Sequence, residues 1–118
     1  MANYVLLIFG DPQQWDEMTP EQAKAHDAAH EAFHAAAGSQ VVGGGALEPA
    51  PVATTLRSDG RDGVIMTDGP FLETKEAVGG YYLLEASDLD EVIKLASLLP
   101  EVHASHSAVE IRLAADQG

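Results

Sequence analysis

The chain contains no cysteine, which removes disulfide staples, thiolate metal ligands and thiol redox chemistry from consideration. Positive charge is scarce. Lys24, Arg57, Arg61, Lys75, Lys94 and Arg112 are the six basic side chains against 19 acidic ones, leaving a net charge of −13. They are scattered along the chain, whereas phosphate backbones are held by concentrated positive charge, so no direct contact with nucleic acid is expected. Long apolar runs are missing too: "YVLLIF" is far too short to cross a bilayer. No basic segment with an apolar stretch and cleavage site precedes "NYVLLIFG", so a cytoplasmic location without a membrane partner is the expectation. Internal repeats and low-complexity tracts are absent.

What remains is 118 residues with 46% hydrophobic content, enough for one domain over residues 1–118 with a real core. "NYVLLIF" (residues 3–9) is apolar on both alternating faces, the pattern of a central strand covered on both sides. "GDPQQWDEM" reads as a loop. Thr19-Pro20-Glu21-Gln22 has the composition of a helix start, with Thr19 as cap, Pro20 in the first helical position and Gln22 reaching back; Gly38 closes that helix.

A glycine-weakened strand is expected at 39–48, a hairpin from 53–57 and 63–67, and a further strand at 79–86. A second capped helix opens at Asp88 and closes before Pro100, and "SAVEIRL" (107–113) alternates as a last strand. The order β-α-β-(ββ)-β-α-β fits an α+β, ferredoxin-like sandwich, an antiparallel sheet with two helices on one face. Strands apolar on both sides leave the second face in need of cover, so a homodimer is expected.

The first long helix carries three histidines. On a wheel of about 100° per residue, His26 and His30 share the face of Phe33, and His34 falls on the flank. Inward imidazoles need hydrogen-bond partners and suit proton transfer near neutral pH. Structural pairing, a catalytic or binding role, and metal binding all remain open. "HDAAH" has the spacing of a zinc helix, yet Asp27 stands where the metalloprotease pattern has Glu, and no third ligand is evident unless "HASH" (103–106) supplies one. The expectation is therefore no metal and no cofactor.

"MTDGPFLETKEAVGGYY" (66–82) joins two strands through an unusually long polar connection. Asp68, before Gly69 and Pro70, either shapes a rigid corner or points a carboxylate at the histidine helix, with Glu73 and Lys75 at the rim. The Gly79-Gly80 pair leaves room for a ligand or another backbone, and Tyr82 offers a hydroxyl. In so acidic a chain, Arg57 or Arg112 facing a cleft would hold a small anion.

"TDGPFLETKEAVGGYYLLEASDLDEVIKLASLLP", with "YVLLIFGD" before it and "AVEIRL" after it, resembles the DGPF-motif branch of the YCII-related family. The resemblance implies a dimeric α+β barrel of ferredoxin-like protomers, bacterial and mostly of unassigned function, with frequent genomic pairing with extracytoplasmic-function sigma factors. It also implies a catalytic histidine on the first helix, best matched by His30 with His26 as the alternative, and an aspartate after the second strand. That aspartate is missing here, Glu48 being the nearest acid, so Asp68 is the expected replacement. Together these features point to metal-free acid–base chemistry on a small carboxylate or carbonyl metabolite. His30 or His26 would be base, Asp68 orienter, and Arg57, Arg112, Glu73, Lys75 and Tyr82 substrate contacts. The competing expectation is a non-catalytic ligand-sensing module with a protein partner in transcription regulation.

Overall fold

The computed structural model describes residues 1–115. Strand β1 (Ala2–Gly10) is followed by helices α1 (Pro12–Asp16) and α2 (Pro20–Ala37), then β2 (Val41–Ala46), β3 (Thr54–Ser58), β4 (Val64–Asp68), β5 (Ala77–Ala86), helix α3 (Leu89–Ala96) and β6 (Ser107–Leu113). Four strands form one sheet in the order β2-β5-β1-β6, every neighbouring pair antiparallel. This is the ferredoxin-like α+β arrangement, with the hairpin β3–β4 inserted as a separate two-stranded sheet.

Local chemistry explains the helix limits. Thr19 accepts the Gln22 backbone N–H at 3.1 Å while the Gln22 side chain accepts the Thr19 N–H at 2.9 Å, satisfying two donors that a helix start leaves free. Gly38 ends α2 at φ 56°. The segment expected to be a loop after β1 instead contains α1, capped by Asp11, whose carboxylate accepts the Gln13 N–H at 3.0 Å. Five residues are too few to show an apolar period, which is why the sequence reads as loop.

The core lies between the helices and one sheet face. Tyr4, Leu6 and Ile8 of β1, and Tyr82, Leu84 and Ala86 of β5, meet Phe33 and Ala37 of α2 and Val92, Ala96 and Leu99. Helix α3 turns only Val92 and Ala96 fully inward, and Leu89 and Ile93 are about half exposed. On the opposite sheet face Val5, Leu7, Phe9 and Leu83 are half-buried with no helix over them.

Gly79 has a definite tenant. A Cβ there would overlap the indole of Trp15, which α1 lays across the sheet, so the room expected for a ligand is filled by a side chain. At Gly80 the neighbour is the carbonyl of Gly45, a close backbone approach.

The β3–β4 arm pairs with itself alone, and only Thr55 among its strand residues is not exposed. Its tip is formed by Asp59, whose carboxylate accepts the N–H groups of Arg61 and Gly63 at 2.7 and 3.2 Å. At its base, Gly69 adopts φ 98° and donates its N–H to the Ala53 carbonyl at 2.6 Å. Positive φ favours glycine, so the "DGP" corner is backbone-built.

Candidate functional site

Burial of Phe33 turns α2 so that His26 and His30, one turn apart, look toward the end of the sheet. There, after α3, buried Leu99 leads into a turn that starts at Pro100 and carries Glu101 beneath the two imidazoles. The Ser107 hydroxyl fixes that turn by donating to the Glu101 carbonyl at 2.9 Å. Strand β5 brings Tyr82 up from the sheet, its ring 4.7 Å from that of Phe33.

The polar groups converge. His30 Nε2 donates to Oε2 of Glu101 at 2.9 Å, and His26 Nε2 lies 3.2 Å from the same oxygen. On the outer side of the His30 ring, Nδ1 is 2.7 Å from the Tyr82 hydroxyl. An ionised carboxylate can only accept, so Nε2 of His30 carries a proton; with the ring neutral the Tyr82 O–H donates to Nδ1, and with the ring an imidazolium Nδ1–H donates to the Tyr82 oxygen. The His26 and His30 rings sit 4.8 Å apart.

Glu101 is only 4% exposed. Burial pushes its carboxyl upward, but the His30 hydrogen bond, a bond from its own backbone N–H and the charges of His30 and His26 outweigh burial and hold it below the usual carboxylate range. Tyr82 is raised, first by burial and then by the Glu101 charge, so its hydroxyl keeps its proton and remains a donor.

These groups form one wall of a cavity of about 800 Å³. Trp15 and Met18 border it, as do residues 41–46 in β2, and Asp27, His34 and Tyr81 also line it. A smaller cavity of about 270 Å³ lies across His26 and Glu101, reaching His106 and also touched by Trp15. None of the described residues lining either space is Lys or Arg.

Of the residues singled out from sequence, His26, His30 and Tyr82 are brought together. The other five are not. Asp68 is exposed at the end of β4, opposite Thr54 on the self-paired arm, and does not line the cavity at the α2 histidines. Arg57 is on the same arm, its guanidinium 5.2 Å above the Phe71 ring, and Glu73 and Lys75 are exposed beyond β4. Arg112 on β6 pairs with Glu110 at 3.3 Å, both largely solvated. Glu48 is exposed and does not line the cavity.

The acid of the site is Glu101, which the sequence reading passed over. One signal was available: "LLPEV" sets a single carboxylate among apolar residues directly after an amphipathic helix. It also supplies the third potential ligand that "HDAAH" lacked, since one donor atom from each of His26, His30 and Glu101 falls within 4.8 Å of the others.

A ferredoxin-like α+β domain with a histidine–glutamate–tyrosine cluster at a cavity is therefore the class of protein that fold and site define. The chain belongs to the YCII-related family, whose model matches residues 2–114. It is also similar to an uncharacterized protein of Rhizobium meliloti (strain 1021), 39% identical over 66 residues, which is 56% of this chain and 52% of that protein. The match thus spans about half the length of that relative.

Proposed function

We propose that this chain is an enzyme that moves a proton to and from a small carbonyl or carboxylate metabolite held in the large cavity. The observation that carries the reading is the buried Glu101 carboxylate beneath His26 and His30, with the Tyr82 hydroxyl at the outer nitrogen of His30. A carboxylate against an imidazole stabilises the imidazolium that forms when a proton is taken up. The histidine–glutamate cluster is then the proton acceptor, and once His30 Nδ1 gains a proton the Tyr82 O–H, released from that nitrogen, is the neutral donor that can face a developing oxyanion. With Asp68 on the arm, Glu101 takes the orienting role.

The test is C–H exchange in D2O, followed by NMR, on a panel of 2-oxo and 3-oxo acids including pyruvate, 2-oxoglutarate and acetoacetate. Protein-dependent exchange next to the carbonyl, lost in Glu101→Gln and reduced in Tyr82→Phe, is the expected result. A panel that neither exchanges nor shifts the protein's melting temperature overturns it.

A second reading, a non-catalytic sensing module, is favoured by the exposed apolar arm, where Leu56, Val64, Met66, Phe71 and Leu72 face solvent and could meet a protein partner. The "TDGPF" motif supports placement in the DGPF branch and, with it, a partner in sigma-factor-linked transcription. The uncovered sheet face around Leu7 and Leu83 supports a homodimer. No helix of the described residues is long and apolar enough to cross a membrane, and a cytoplasmic location goes with this reading.

A further inference from the structure

We infer that His26, His30 and Glu101 bind one divalent transition-metal ion, with a coordination position left open to the large cavity. The inference rests on the proposed substrate class and adds the positive charge that class requires. A carbonyl or carboxylate oxygen in the cavity meets no Lys or Arg among the lining residues, and Arg57 and Arg112 are committed elsewhere. The lining acids, Asp27 and Glu101, would repel it. An ion on the cluster reverses that local charge and polarises the bound oxygen.

The donors suit such an ion. Two imidazole nitrogens one helical turn apart and a carboxylate oxygen from another element form the two-histidine, one-carboxylate set that holds zinc and its neighbours while leaving a site for water or substrate. Tetrahedral bonds of about 2.0–2.1 Å place neighbouring ligand atoms about 3.3–3.4 Å apart; Glu101 Oε2 lies 2.9 and 3.2 Å from the two Nε2 atoms, and the three donors fall within 4.8 Å of one another, so small side-chain shifts would seat an ion. Both rings aim the same nitrogen at the same oxygen. The outer partner is present as well: with Nε2 on a metal, His30 Nδ1–H donates to the Tyr82 oxygen 2.7 Å away, fixing the ring. The Tyr82 proton is then free to turn to the substrate, and hydroxide formed from water on the ion would be the cluster's proton acceptor.

The experiment is titration of metal-stripped protein with Co(II), read by visible absorption and by melting temperature, beside elemental analysis of protein purified without a histidine tag. About one Co(II) per chain is expected, with d–d bands of a low-coordinate nitrogen–oxygen site and a rise in melting temperature that a chelator reverses. Affinity should fall at least about 10-fold in His26→Gln, Glu101→Gln and Tyr82→Phe, the last through the outer partner alone. His103→Gln, in the exposed "HASH" segment, should bind as the parent does. Absence of stoichiometric Co(II), equal affinity in His26→Gln, or loss of binding in His103→Gln instead overturns the inference. C–H exchange without any bound ion would defeat the metal site and leave the proton-transfer reading. Ion binding without exchange on any probe would do the reverse.

Discussion

Glu101 concentrates the consequences at the scale of single residues. Because its carboxyl is held below the usual range in the folded chain, ionisation favours the folded state. That contribution is fully present above the ordinary carboxylate pKa and is lost as pH falls through the lower folded value. Urea unfolding of parent and Glu101→Gln should differ by about 2 kcal/mol at neutral pH, the worth of a buried hydrogen bond to a charged group, and the gap should close toward the acid end. A gap that widens on acidification would contradict the assignment. Asp68→Asn makes the contrast: an exposed side chain for which no hydrogen bond is found among the described residues should change stability by less than about 0.5 kcal/mol. It should also leave the histidine NMR signals unmoved. The two acids differ in a way sequence does not display. Asp68 stands beside conspicuous turn residues, whereas the burial of Glu101 is decided by where a turn after α3 lands against α2.

At the scale of elements, α2 was legible almost to the residue because its start signal is chemical: a hydroxyl, a proline and an amide at fixed offsets. Removing the cap with Thr19→Ala should cost about 1 kcal/mol in thermal or chemical unfolding. Phe33→Ala, which empties a fully buried site between α2 and the sheet, should cost about 3–5 kcal/mol. The strands and the β3–β4 hairpin were legible from local pattern and turn residues, but the hairpin's place relative to the main sheet was not. That β3 and β4 form a sheet of their own depends on contacts far apart in the chain, and every expectation placed on Asp68, Arg57, Glu73 and Lys75 moved with that arm. Helix α1 escaped notice for the opposite reason, being too short to show a period.

The whole molecule is thin, 48 × 45 × 20 Å, with a radius of gyration of 16.3 Å, against about 13–14 Å for a compact globule of this length. One helical layer on one sheet plus a projecting arm accounts for the excess. A thin body with a half-buried apolar second face should associate, so light scattering at micromolar concentration should report about twice the 12.4 kDa chain mass. A monomer there would overturn the expectation of a homodimer.

Trp15 is the chain's single tryptophan, seated where the glycines at positions 10 and 79 leave it space and bordering both cavities. The ultraviolet emission of the protein therefore originates almost wholly at the one place where an arriving solute would change the surroundings. The molecule carries its own optical gauge of occupancy, and a compound or ion that enters either cavity can be detected by colour shift or quenching with no label and no knowledge of the reaction.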